Sequence, residues 1–205
     1  MECFLMASDL AYILQSITSF YDFSDREVLY VGAGDGQLID CAASARSVLA
    51  VDSDAKAVAA LEDTIRKKGL ADRVGARHAG FESIDVRVDV VFFEFCLHEI
   101  HDPTAMLDRA LTMAGDVVIV DHLPESPWVW HTCETEMVER SWNAVHALHP
   151  VRIVEHCVDQ RFPVYEELRS KIEVQGPEAV RRAGKFKEKH GIVIEMKYGL
   201  ALISQ

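Results

Sequence analysis

The chain of 205 residues contains 49% hydrophobic and 26% charged residues, which is the composition of a globular protein and excludes a disordered one. Its length fits one domain. A net charge of −12 argues against general binding of nucleic acid, because that surface would repel a phosphate backbone.

The cysteine usage and the termini bear on the compartment. The five cysteines are scattered and include no C-x-x-C pair, which argues against a disulfide framework or a zinc ribbon and fits a reducing compartment. The first residues lack the basic stretch of a secretory signal, and no apolar run approaches the roughly 20 residues of a membrane span. We therefore expect a cytoplasmic protein that makes no contact with a membrane.

The first two thirds of the chain alternate between helical patterns and short β-branched runs. A helix is predicted at about 4–20, before the core. The core then has predicted strands at 27–31, 47–51, 73–78, 88–93 and 116–120, with predicted helices at 37–45, 55–68 and 103–114. This alternation predicts an α/β fold, a Rossmann-like, doubly wound and mostly parallel sheet with helices on both faces.

The last third has a different pattern. One long amphipathic helix is predicted over 126–148, strands over 151–156 and 192–203, and two helices over 165–189, broken at Gly176-Pro177. The absence of internal repeats and long linkers predicts a single domain over 1–205. Within it we distinguish an N-terminal helix region (1–24), the core (25–160), an insertion that could form a lid (161–190) and the last strand (191–205).

A glycine-rich turn follows the first predicted strand. Residues 31–36 read Val-Gly-Ala-Gly-Asp-Gly, and glycines at such a turn let the backbone approach a ligand that any Cβ would block. Asp52 closes the next strand, where its carboxylate suits the two hydroxyls of a ribose. Together they predict an adenosine-type ligand held by Gly32, Ala33, Gly34, Gly36 and Asp52.

Two cofactor classes fit that geometry. Dinucleotide sites usually have G-x-G-x-x-G, whereas here the third glycine comes one residue early and Asp35 puts a negative charge where a pyrophosphate would lie. The G-x-G-x-G form resembles motif I of the class I S-adenosylmethionine-dependent methyltransferases, and the resemblance extends over about 28–121. It implies S-adenosyl-L-methionine as cofactor, with Asp52 as the ribose-binding acid. An enzyme that uses a dinucleotide is the alternative.

The chain departs from the family pattern at two positions. Tyr30 stands where the family usually has an acid near the methionyl ammonium, and Gly80 where an Asp often faces the adenine. We expect Glu94, at the end of the fourth strand, to supply the missing charge, and Phe81 to cover the adenine. The resemblance thus extends the predicted cofactor site to Ser53, Gly80, Phe81, Phe93 and Glu94.

A second motif concerns the chemistry. Residues 97–102, Leu-His-Glu-Ile-His-Asp, resemble a stretch of small-molecule O-methyltransferases whose His is a general base. The resemblance implies His98 as that base with Glu99 beside it; His122 and His101 are alternatives, and a capping or packing histidine is the structural reading. A larger group could hold a metal, but its spacing lacks a zinc-pair pattern, so no metal is predicted. That group comprises His98, His101, Asp121, His122, His131 and Cys133.

These residues predict a methyltransferase that acts on a small-molecule methyl acceptor, most readily at oxygen. One alternative is a methyltransferase of RNA or protein, which the acidic balance disfavours. Another is a non-catalytic protein that keeps the fold to bind a cofactor or a partner; Tyr30 and Gly80 support that alternative. The sequence predicts no oligomeric state.

Overall fold

The computed structural model describes residues 9–205. A seven-stranded sheet has the order β3-β2-β1-β4-β5-β7-β6, and β7 runs antiparallel to both of its neighbours while the other pairs are parallel. This confirms the predicted Rossmann-like, mostly parallel sheet. The strands are β1 (Glu27–Val31), β2 (Ser47–Asp52), β3 (Val74–His78), β4 (Val90–Glu94), β5 (Asp116–His122), β6 (Arg152–Val164) and β7 (His190–Ser204).

Helices cover both faces of the sheet. They are α1 (Leu10–Phe20), α2 (Ala55–Lys68), α3 (Pro103–Met113), α4 (Pro127–Thr132), α5 (Thr135–Ala147), α6 (Tyr165–Ile172) and α7 (Pro177–Ala183). Ile17 of α1 and Leu61 of α2 belong to the apolar layer on one face, and Leu107 of α3 and Val145 of α5 belong to the layer on the other. Among the helices described in 9–205, none is both long and apolar enough to cross a bilayer.

The strand register brings the polar residues together. Strands β1 and β4 are apolar on both faces, as expected for parallel strands buried between helices, and Tyr30 pairs in register with Phe92. The strand order changes direction between β1 and β4, and ligands of open α/β sheets bind at such a point, beyond the carboxyl ends of the strands. Val31, Asp52, Glu94 and His122 end β1, β2, β4 and β5 at that edge.

The predicted helix over 37–45 is wrong. The glycine turn takes the first residues after β1, and the rest of the short connection to β2 holds only a 3-10 turn over Ile39–Ala42. Its backbone N–H groups bond three residues back, as Cys41 does to Leu38 and Ala43 to Asp40, so the segment closes in tight turns instead of α-helical ones.

The predicted continuous helix over 126–148 is also wrong, because Cys133 adopts a left-handed conformation (φ +67°) between α4 and α5. The Cys133 N–H bonds to the carbonyls of Trp130 and Val129, which ends α4. The break turns Glu134 toward the carboxyl edge of the sheet.

The ends of the chain differ less from the prediction. Of the N-terminal helix predicted over 4–20, residues 4–8 lie outside the described part, and the helix begins at Leu10, where the Asp9 side chain accepts the N–H of Tyr12. Strand β6 continues to Val164 by pairing with β7, so it is much longer than the predicted 151–156.

Candidate active site

The glycine turn packs closely against the protein at Gly32 and Gly36 and faces open space at Gly34. Gly32 has φ +73°, and a Cβ there would lie 2.5 Å from Cys96, just after β4. Gly34 has φ +52°, and a Cβ there would meet nothing within 4 Å. Packing therefore requires glycine at Gly32, while Gly34 leaves bare backbone beside an open volume, as a cofactor cradle would.

Asp52 is fixed beside this turn. Its Oδ2 accepts the Gly34 N–H at 2.9 Å, and its Oδ1 accepts the Asp54 N–H at 2.9 Å. Each carboxylate oxygen keeps a second lone pair, so Asp52 can still accept two ribose hydroxyls. The turn itself is held by packing: Ala33 is buried, and a Cβ at Gly36 would strike Leu61 of α2. The adjacent Ser53 is exposed, and its carbonyl lies 3.1 Å from the His78 ring.

Tyr30 and Glu94 form a pair at the ends of β1 and β4. The Tyr30 hydroxyl donates to Glu94 Oε2 at 2.5 Å. Burial raises the pKa of Glu94 to about 8; Tyr30 lowers it and the charges of Asp35 and Asp52 raise it. Glu94 therefore brings a carboxyl group next to the glycine turn, beside Tyr30, where β1 has no acidic residue of its own. A cationic group there would favour its ionised form.

The other predicted cofactor residues lie beyond β3 and β4. Gly80 precedes a 3-10 turn over Phe81–Ser83, and a Cβ at Gly80 would strike the Glu82 carboxylate. The Phe81 ring is 4% exposed and packs edge-on against Phe93, with ring centroids 5.2 Å apart. Both rings belong to the apolar core, so this segment offers a ligand mainly its backbone.

His98 and Asp121 form the buried polar centre of the site. His98 is 3% exposed and Asp121 1%. The His98 Nδ1 lies 2.6 Å from Asp121 Oδ1, and the His98 backbone N–H donates to Asp121 Oδ2 at 2.9 Å. An acidic partner on Nδ1 places the proton there and leaves the lone pair of neutral His98 on Nε2. Burial lowers the pKa of His98, but the hydrogen bond and charge of Asp121, together with Glu134 and Glu99, outweigh it, so the pKa is raised.

Two glutamates face the free nitrogen of His98. Glu134 is 6% exposed, its Oε1 lies 4.0 Å from His98 Nε2, and its Oε2 accepts the Thr132 hydroxyl at 2.5 Å. Ligating atoms of His98, Glu99 and Glu134 lie within 4.8 Å of one another. Burial raises the pKa of Glu99; His98 lowers it and Glu134 raises it. Sequence reasoning missed Glu134 because it assigned this residue to the middle of a helix.

The remaining histidines play different structural parts. The His122 ring lies 5.5 Å from that of His98, and burial lowers its pKa to about 4, so His122 is neutral near pH 7. His101 is exposed, and His131 packs against Trp130 and Phe186. Within residues 9–205, the groups close enough to share an ion are those of His98, Glu99 and Glu134, and not the larger set considered from the sequence.

Comparison with known proteins bears on the domain and the fold. Residues 29–114 match a family described as a methyltransferase domain, and no curated protein matches the chain. Three solved structures share the fold at 16–19% identity, which is too low to show more than the fold. The first is a SAM-dependent methyltransferase from Aquifex aeolicus, at 19% identity and a TM-score of 0.57, with 96% of this chain and 90% of that chain covered. The second is a candidate RNA methyltransferase from Pyrococcus horikoshii, at 16% identity and a TM-score of 0.58, with 96% of this chain and 83% of that chain covered. The third is a SAM-dependent O-methyltransferase from Thermotoga maritima, at 17% identity and a TM-score of 0.56, with 96% of this chain and 65% of that chain covered.

Proposed function

We propose that the chain is a class I S-adenosylmethionine-dependent methyltransferase that methylates a small-molecule acceptor at oxygen, with His98 as the general base. Its cofactor, S-adenosylmethionine, supplies a methyl group that is already activated on a sulfonium. One observation carries the proposal: the His98–Asp121 pair, with Nδ1 2.6 Å from Oδ1, lies where β4 and β5 end beside the glycine turn.

The cofactor site consists of residues from the ends of four strands. Asp52 would accept the ribose hydroxyls, and Glu94, whose carboxylate Tyr30 holds by a hydrogen bond, would bind the methionyl ammonium. The open space at Gly34 supports this site, because a side chain there would occupy it. The full set is Gly32, Ala33, Gly34, Gly36, Asp52, Ser53, Gly80, Phe81, Phe93 and Glu94.

The protein's contribution to the reaction is to align the acceptor and remove its proton. Alignment of two bound reactants supplies roughly 7–11 kcal/mol, and a positioned base a further 10²–10⁴-fold, as orders of magnitude. Asp121 holds the Nδ1 proton of His98, so Nε2 accepts the proton of the acceptor hydroxyl. Glu99 lies beside His98 and favours the imidazolium that results. His122, which is neutral and adjacent, is the second candidate base.

Charge supports a small molecule over RNA. The chain carries a net charge of −12, and the carboxylates around His98 would repel a phosphate backbone. The Tyr30–Glu94 pair also weakens the case for a non-catalytic protein, since it brings an acid to the position that β1 lacks. Cys41, Cys96, Cys133 and Cys157 are free thiols, which supports the cytoplasm as compartment.

Replacing His98 tests the role of the base. In His98→Ala we expect kcat for a responsive phenol or alcohol to fall at least about 10²-fold while affinity for S-adenosylhomocysteine stays within about twofold. Release of S-adenosylhomocysteine measures the rate, and the exposed His101→Ala is the matched control. An unaltered pH–rate profile in His98→Ala would transfer the role to His122 or leave the reaction without a base.

A further inference from the structure

The acidic pocket formed by His98, Glu99 and Glu134 has more negative charge than a general base requires. Neither glutamate forms an ion pair with lysine or arginine anywhere in residues 9–205; their charged neighbour is His98. Thr132 occupies only Oε2 of Glu134, so Oε1 stays turned toward the pocket. Glu99 is exposed, but Glu134 is buried, and a buried carboxylate is costly unless a cation or a hydrogen-bond donor compensates it, so the pocket is suited to a cationic occupant.

A second observation shows that His98 is aimed into this pocket. Its Nδ1 is engaged by Asp121, whereas its Nε2 has no hydrogen-bond partner among the described residues and lies 4.0 Å from Glu134 Oε1, too far for a bond. The imidazole is 3% exposed, so little of it is open to water. A ligand that supplies a donor to Nε2 and a positive charge to the glutamates would satisfy all three groups.

We propose that the methyl acceptor is an amino alcohol, with its protonated amine bound by Glu99 and Glu134 and the neighbouring hydroxyl facing Nε2 of His98. This inference rests on the proposed function, because it names the acceptor class of the same site. Neighbouring carbons hold a hydroxyl and an ammonium about 3 Å apart, which lets one small molecule reach all three protein groups at hydrogen-bond distance.

The spacing of the pocket distinguishes an ammonium from a metal ion. A tetrahedral ammonium with N⁺–H···O⁻ distances of about 2.8 Å separates its acceptors by about 4.6 Å, within the 4.8 Å span of these groups. Metal–ligand distances of about 2.0–2.2 Å require neighbouring ligand atoms about 3.0–3.4 Å apart. His98 Nε2 and Glu134 Oε1 are 4.0 Å apart, which exceeds that metal spacing and leaves the two atoms room to bind the hydroxyl and the ammonium of one ligand.

A matched pair of ligands tests this inference. We would measure the Kd of trans-2-aminocyclohexanol and of cyclohexanol by calorimetry at pH 7.5, with S-adenosylhomocysteine saturating. We expect the wild type to bind the amine at least about tenfold more tightly, because charge-assisted hydrogen bonds are the strong ones. Glu99→Gln and Glu134→Gln keep the side-chain shape, and in each the preference should fall below about threefold. Glu139→Gln, exposed on α5, is the control and should keep the preference.

Each other outcome overturns the inference. Equal Kd values for the two ligands, or a preference that survives both substitutions, would show that the glutamates do not bind an ammonium. Tight binding of Mn²⁺ or Zn²⁺ that both substitutions abolish, without any amine preference, would identify a metal site instead. Failure of S-adenosylhomocysteine to bind the wild type would refute the proposed function itself, whereas its binding without amine preference refutes only the acceptor class.

Discussion

Replacing Glu94 by glutamine tests two effects of this acid, one on the stability of the fold and one on the binding of the cofactor. The carboxyl group lies at the end of β4 and accepts the Tyr30 hydroxyl at 2.5 Å. Burial raises its pKa from the ordinary 4.5 to about 8. Near neutral pH Glu94 is therefore largely protonated, and an ammonium bound beside it would drive it to ionise.

The sign of the stability effect follows from the raised pKa. Between pH 4.5 and about 8 the native protein keeps a proton on Glu94 that the unfolded chain has lost, so this group makes stability fall as pH rises through that window. The full pKa difference corresponds to at most about 5 kcal/mol, and the partial exposure of Glu94 reduces this to about 2–4 kcal/mol. Glutamine stays neutral, so Glu94→Gln should match the wild type near pH 5 and be more stable by that amount near pH 9.

Urea unfolding at pH 5, 7 and 9, combined with titration of S-adenosylhomocysteine at pH 8.5, measures both effects. We expect Glu94→Gln to be stabilised at high pH yet to bind the ligand at least about tenfold more weakly, because a charge-assisted bond of about 1.5–3 kcal/mol is lost. Glu62→Gln, exposed on α2, should change neither quantity. A pH-independent difference in stability would refute the burial argument, and an unchanged affinity would refute the role of Glu94 toward the ammonium.

Two further substitutions test the cradle and the His98–Asp121 pair. Gly34→Ala should cost about 1–2 kcal/mol of stability because of its left-handed φ, and it should abolish measurable binding of S-adenosylhomocysteine. Gly69, at the end of α2, has a similar φ (+68°) and also faces open space, so Gly69→Ala is the control. Equal losses of affinity in both variants would count against the cradle at Gly34. Asp121→Asn removes the partner that raises the pKa of His98. Activity rises as His98 loses its proton, so the midpoint of the kcat–pH profile should move to lower pH, with kcat down at least about tenfold. An unmoved midpoint in the measured profile would mean that His98 is not the base.

The sheet was predictable because its parallel strands are apolar on both faces and end at polar residues. Runs such as 88–93, in which Asp89 is the one polar residue, fit no solvent-facing strand, and helix α2 lies where its apolar spacing and Gly69 indicate. The two wrong helices have local causes. Three-residue turns replaced an α-helix after the glycine turn, and a left-handed Cys133, at a residue that gives no glycine signal, divided the helix over 126–148.

The candidate site was only partly predictable for the same reasons. His98, Asp121 and Glu94 could be named because they follow strands, and parallel strands bring their carboxyl ends to one edge. The 2.6 Å contact of His98 with Asp121 depends on the register of β4 against β5, which the sequence does not specify. Glu134 reaches the site only through the break at Cys133, so a continuous helical pattern concealed it.

Thermal unfolding with S-adenosylhomocysteine and, separately, with NAD tests most directly whether this protein is an S-adenosylmethionine-dependent methyltransferase. A ligand at 100 times its Kd adds about 2.7 kcal/mol, or roughly 5–11 °C in Tm for a chain of this size. We expect a shift of that order with S-adenosylhomocysteine and none with NAD. A shift with NAD alone, or no shift with either ligand, would contradict this expectation.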